Sequence, residues 1–235
     1  KNIGIIKMEV VRNEMPKNNF LKKVRNIATK NNIILIFDEC TTGFRQTFGG
    51  IHKIFKINPD IMILGKALGN GYAITSVLGK NRIMKNIKNT FISSTFWTER
   101  IGSVAALKTL EVMENTKSWK KITKIGNEIR KNWKRIAKKN NLEILIAGIP
   151  ALSSFSFKSK HNNFYKTFIT KEMLKKGFLA SNSIYTSIAH NKKILKIYYQ
   201  ELDNVFKKIK EIENSNNIKK YLTIKESTKS FARLN

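Results

Sequence analysis

Three short segments combine residue types that chemistry needs. Phe37-Asp38-Glu39 closes an apolar run. Lys66 stands between a second apolar run and a turn holding Gly65, Gly69 and Gly71. Ser94-Thr95-Phe96 follows a third candidate strand. A lysine sheltered at a strand exit gives up its proton more readily, and the free amine condenses with an aldehyde to a Schiff base. A carboxylate that ends an apolar strand is partly buried and needs a cation, which a protonated ring nitrogen would supply. Each residue also has an ordinary structural reading. Lys66 would be a solvated lysine, Asp38 a helix cap or a loop ion pair, Thr95 the cap of the next helix, and the glycines parts of a tight turn.

The elements that must position these residues are legible in the spacing. Gly4 to Val11 and Ile33 to Phe37 read as strands, and 18–31 between them has helical spacing through Phe20, Leu21, Val24, Ile27 and Ala28. That order is a βαβ unit, and a continuous apolar run suits a parallel strand covered on both faces. Further strands are expected at Ile61 to Leu64, Tyr72 to Leu78 and Phe91 to Ser94. Two helices follow, Ile101 to Glu114 with Val104, Leu107, Leu110, Val112 and Met113 as its core face, and Lys117 to Asn140. Near Asn140 the pattern changes to strands at Leu142 to Ala147 and Ala151 to Phe157, then helices at Phe164 to Lys176 and Ile194 to Glu213. The tail from Ser215 is polar and is assigned little structure. The expected organisation is 1–140 as part of an α/β domain and 141–235 as a small α+β domain. In open α/β sheets, ligands lie outside the carboxyl ends of the strands, where all three chemical segments fall.

Composition narrows the partners. The net charge is +29, but only eight of the 45 basic residues are arginines, and the lysines are spread along the whole chain. Nucleic-acid recognition favours the planar arginine fork and aromatic interleaving, so a solvated basic surface is the preferred reading and no nucleic-acid partner is expected. No apolar stretch reaches the length of a membrane span, and no membrane partner is expected. Cys40 is the single cysteine, which excludes an internal disulfide and accords with the cytoplasm. The chain opens at Lys1 directly into strand-like sequence, and is read as beginning within a domain.

Two longer stretches carry a family resemblance. Phe37-Asp38-Glu39-Cys40-Thr41-Thr42-Gly43-Phe44-Arg45 resembles the Asp-Glu-Val-x-Thr-Gly-Phe-Arg segment of class III aminotransferases. Pro59-Asp60, followed by Gly65-Lys66 and Gly69-Asn70-Gly71, resembles their Pro-Asp-x-x-x-x-Gly-Lys-x-x-Gly-Gly-Gly segment, and Asp38 and Lys66 stand 28 positions apart as in that family. Ser187-Ile188-Ala189-His190 is similar to a stretch of its glutamate-1-semialdehyde aminomutase-like members.

The resemblance implies fold type I of the pyridoxal-phosphate enzymes: the latter part of a large, mainly parallel-sheet domain, then a small C-terminal domain. It implies an aminotransferase or aminomutase using pyridoxal 5'-phosphate on a small-molecule amino donor and keto acceptor, with no metal. Lys66 would form the Schiff base and shuttle protons. Asp38 would hold the ring nitrogen, Cys40 would take the place of a valine on the ring face, and Thr41 would lie near the ring hydroxyl. Thr95 would reach the phosphate in the neighbouring subunit of a homodimer, while His190 would cap a helix or pack locally. The family's phosphate-cradling loop lies upstream of these motifs, so the alternative is a non-catalytic fragment. Trp97-Thr98-Glu99-Arg100 replaces the family's Ser-Gly-Asn-Pro, and no glutamate stands at Ser183 to Thr186, which weighs against the aminomutase reaction.

Overall fold

The computed structural model describes residues 3–95, 98–215 and 221. Phe96, Trp97 and most of the polar tail lie outside the described residues. Contacts divide the chain into two compact units, one up to Thr123 and one from Lys124.

In the first unit, β1 (Ile5–Glu9), β2 (Ile34–Asp38) and β3 (Ile61–Leu64) are parallel neighbours in that order. The register sets Glu9 beside Asp38 and Asp38 beside Ile63. The connection from β1 to β2 is α1 (Phe20–Lys30), as the spacing predicts, with Leu21 and Ala28 buried. β2 is less enclosed than its continuous apolar run implies. Leu35 and Phe37 are fully buried, while Ile34, Ile36 and Asp38 on the other face are only partly covered. A period of two decides the two faces separately, and composition alone cannot assign them.

Asp60 ties this unit together. Its buried carboxylate accepts the Leu35 amide at 2.9 Å, Arg25 of α1 at 2.7 Å and Lys80 at 2.7 Å. Burial pushes its pKa up, but the Leu35 amide, Lys80 and Arg25 outweigh burial and hold the carboxyl well below the usual range.

β4 (Ser76–Gly79) is shorter than expected and runs antiparallel to β3. The expected strand at Phe91 to Ser94 does not form: this segment is irregular and exposed, with Phe91 95% accessible. A strand needs a ladder partner to satisfy its amides, and none pairs with this segment among the described residues. Short helices α2 (His52–Phe55) and α3 (Asn81–Met84) were not foreseen. In α4 (Arg100–Thr116) only two of the five expected core-face residues, Leu110 and Met113, turn inward, and Val112 is exposed. Gly102 and Ala106 turn inward with them, while Val104 and Leu107 are exposed with Ile101. Gly102 lies so close to the Ala73 carbonyl that a Cβ would approach it to 2.7 Å. Close backbone approach, not side-chain bulk, therefore selects the inward face.

α5 (Ser118–Lys139) begins in the first unit and continues in the second. The second unit has an antiparallel sheet of β5 (Ile144–Ile149), β6 (Leu152–Phe157) and β7 (Ser183–Tyr185). α6 (Asn162–Leu174) and α7 (Lys192–Asn214) complete it. Its core joins Trp133, Phe155, Phe157, Phe164, Tyr165 and Phe206. The Trp133 indole N–H donates to the Tyr198 hydroxyl at 2.9 Å, so two large amphipathic rings are buried with both polar ends satisfied.

Candidate active site

The loop after β2 is fixed by Glu39. This carboxylate is fully buried and accepts the His52 amide at 3.0 Å, the Thr42 hydroxyl at 3.2 Å and the Ile51 amide. Its other contact is the His52 ring, with Nδ1 2.7 Å from Oε1. The loop is thus drawn back onto the start of α2, and Cys40 and Thr41 between these anchors are held at the carboxyl end of β2. The motif reading contained Glu39 but gave it no such task. Nothing in the spacing links it to a histidine thirteen positions on.

Asp38 ends β2 with its side chain 28% exposed. Its Oδ1 accepts the Cys40 amide at 3.2 Å, and its Oδ2 lies 3.2 Å from the Lys7 ammonium of β1. Burial raises its pKa, but the Cys40 amide and Lys7 together lower it below the ordinary aspartate value. The Cys40 thiol moves the other way: burial first and then the Asp38 charge push it up, against a weaker opposing pull from Lys66 and Lys7. Cys40 is therefore a packing group here more than a thiolate nucleophile.

Lys66 opens a 3₁₀ turn (Lys66–Leu68) directly beyond β3, with φ at +44°, in the left-handed region that side chains rarely adopt. Non-glycine residues held there cost of order 1 kcal/mol and cluster at functional sites. The Lys66 ammonium donates to the Thr41 hydroxyl at 2.6 Å. The side chain is exposed, so the expected shelter is not supplied by the described residues. It borders a cavity of about 620 Å³ with Tyr72, Thr75, Ser94, Glu99 and Ser103 on its wall.

Four of the five expected site residues come together. Asp38 accepts the Cys40 amide and Thr41 accepts from Lys66, so the four meet at the carboxyl ends of β2 and β3, where open-sheet ligands sit. Thr95 is on an exposed turn beside Ser94 of the cavity wall and is not joined to these four by any of the contacts above. His190 packs locally, its Nδ1 accepting the Ser187 amide at 2.8 Å, and Asn191 caps α7 by accepting the Ile194 amide at 3.0 Å. Lys7 was missed, because a lysine within a strand run reads as an outward, solvated position.

Comparison with known proteins shows the family and the fold. The family model described as aminotransferase class-III matches residues 12–212. The 3-aminobutyryl-CoA aminotransferase of Cloacimonas acidaminovorans (strain Evry) is 33% identical over 67% of this chain and 38% of its own length. The glutamate-1-semialdehyde 2,1-aminomutase of Wigglesworthia glossinidia brevipalpis is 31% identical over 83% of this chain and 49% of its own length. The chain thus spans about half the length of the curated relatives it matches. Among solved structures, the FumI protein of Sphingopyxis sp. MTA144, in its PLP internal aldimine form, superposes with a TM-score of 0.83 at 21% identity, over 91% of this chain and 53% of that one. The acetylornithine aminotransferase of Elizabethkingia anophelis gives 0.75 at 24%, over 85% and 53%. These likenesses establish the fold, that of fold type I transferases. With the family model spanning both units and the lysine and aspartate motifs meeting at the carboxyl ends of β2 and β3, the chain belongs to the class-III aminotransferases.

Proposed function

We propose that this chain carries the lysine half of a pyridoxal-phosphate site that transfers amino groups between small molecules, as aminotransferase or aminomutase. The observation that carries the reading is that Asp38 accepts the Cys40 amide while the next residue, Thr41, accepts from the Lys66 ammonium, which brings Asp38 and Lys66 to one short loop. The residues fit the ring and aldehyde ends of the cofactor. Asp38 is an ionised, half-buried carboxylate that already attracts a cation, which suits a protonated ring nitrogen. Lys66 is a primary amine at the mouth of a cavity.

When bound, pyridoxal phosphate supplies an aldehyde for the amino group and a ring that withdraws electrons. Asp38 would keep the ring nitrogen protonated, and Cys40 would pack on the ring face. Thr41 orients the Lys66 amine, which would take a proton from the substrate carbon at Nζ and return it.

Two further parts of the reading concern assembly. We read the functional division of the chain as 1–140 and 141–235, with the cofactor chemistry in the first part. A homodimer, with Thr95 reaching the neighbouring site, accords with the exposure of Thr95 and of Ile101, Val104 and Leu107 along α4. Among the described residues no helix is long and apolar enough to cross a membrane. We assign the protein to the cytoplasm, where a lone cysteine such as Cys40 stays reduced.

The test is direct. The purified chain is mixed with pyridoxal phosphate, its near-visible absorption is recorded, and the adduct is reduced with borohydride and mapped by mass spectrometry. Label on Lys66, lost in Lys66→Ala, supports the reading. Label spread over surface lysines, or none, favours instead a fragment that keeps the fold without the chemistry, as its half-length match to the relatives would allow.

A further inference from the structure

The cation that Asp38 attracts in this structure belongs to the chain itself. Lys7 and Asp38 lie on adjacent parallel strands, with Lys7 beside Ile36 in register, two residues before Asp38. Side chains two apart on a strand share a face, so Lys7 and Asp38 point the same way. The ammonium reaches Oδ2 at 3.2 Å, while Oδ1 is engaged by the Cys40 amide. The oxygen that Lys7 contacts is therefore the one left for a ring nitrogen. Lys7 is 56% exposed, so the contact is not forced by packing, and among the described residues Asp38 is the ion-pair partner of its ammonium.

We propose that Lys7 is a positioning residue that shares the Asp38 carboxylate with the cofactor's ring nitrogen and weakens the hold on that ring. This rests on the reading of Asp38 given above. Two cations on one carboxylate repel each other, and each must share the attraction that one alone would have. The pair is partly solvated, which limits the effect to what an exposed ion pair supplies. The functional consequence is a readily exchanged cofactor, with Lys7 holding Asp38 ionised and in place whenever the ring is away.

The experiment is equilibrium dialysis of pyridoxal phosphate against the full 235-residue chain and against Lys7→Met, Lys7→Arg, Asp38→Asn and the Lys7→Met/Asp38→Asn double variant. Methionine keeps the stem and removes the charge at an exposed position, so folding is preserved. Lys7→Met is expected to lower the Kd by roughly threefold, the size of an exposed ion-pair effect. Lys7→Arg should bind as the parent does, and the gain should vanish when Asp38 is already asparagine. A parent that binds and a Lys7→Met variant with equal or weaker affinity would overturn the role of Lys7 alone. A gain that persists in the Asp38→Asn background would overturn it too, since the effect would not run through that carboxylate. A parent that shows no site-specific binding defeats the cofactor reading and this inference together.

Discussion

The Lys66 ammonium donates to the Thr41 hydroxyl at 2.6 Å, joining the exit of β3 to the loop after β2 across 25 positions of sequence. This bond aims the amine without enclosing it. Thr41→Val removes the acceptor and keeps the shape. Stability should change by less than about 0.5 kcal/mol, because the site is at the surface. Pyridoxal-phosphate affinity should fall by roughly fivefold, the worth of one ordinary hydrogen bond. Dialysis together with a thermal melt reads both. A large loss of stability with unchanged affinity would show Thr41 to be a scaffold residue only.

Glu39 makes a second, independent prediction, since its carboxylate satisfies two amides, a hydroxyl and an imidazole in a fully buried place. Glu39→Ala strands all four groups without solvent. The cost should be about 3 kcal/mol or more. Urea unfolding followed by circular dichroism would show the lowered midpoint, and an unchanged midpoint would mean that the loop 40–51 does not depend on this anchor.

Acid should act through Asp60. Its folded pKa lies below the ordinary value of about 4, so the unfolded chain binds its proton first as pH falls. The stabilisation is therefore complete above about pH 4 and is lost progressively below it, as pH drops toward the folded pKa. Asp60→Asn should cost about 3 kcal/mol at neutral pH, because Arg25 and Lys80 lose their shared partner. It should also flatten the dependence of stability on pH between about 4 and 2. Parallel acid titrations of the two proteins, monitored by urea midpoint, would expose a mistaken assignment as two curves of the same slope.

In the second unit, the backbone of α5 at Gly126 touches the turn before β6. A Cβ there would lie 1.9 Å from the Pro150 carbonyl oxygen, a backbone atom with little freedom to retreat. Gly126→Ala should therefore destabilise by about 2 kcal/mol, although alanine is the better helix former by about 1 kcal/mol. A rise in melting temperature would mean that helix and turn separate easily.

Much of this protein is readable from its residues in order. Apolar spacing predicted the β1–α1–β2 unit, β3, and the long helices α4 to α7, because burial of one face leaves a period that local sequence records. The same reading put Asp38 and Lys66 at strand exits, since a polar residue closing an apolar run can lie almost nowhere else; it put Thr95 there too, after a strand that does not form, while Cys40 and Thr41 came from the family resemblance. Partnerships were a different matter. That Glu39 is satisfied by His52, that Lys7 reaches Asp38, and that Asp60 gathers Arg25 and Lys80 depend on strand order, register and loop path. β4 turned antiparallel, Phe91 to Ser94 stayed irregular, and Val104 and Leu107 faced outward for the same reason. Hydrophobic period states how a segment would bury itself. Only the assembled chain decides which neighbour is there to receive it, and an ion pair or a hydrogen bond forms solely between groups that the fold has brought within about 3 Å.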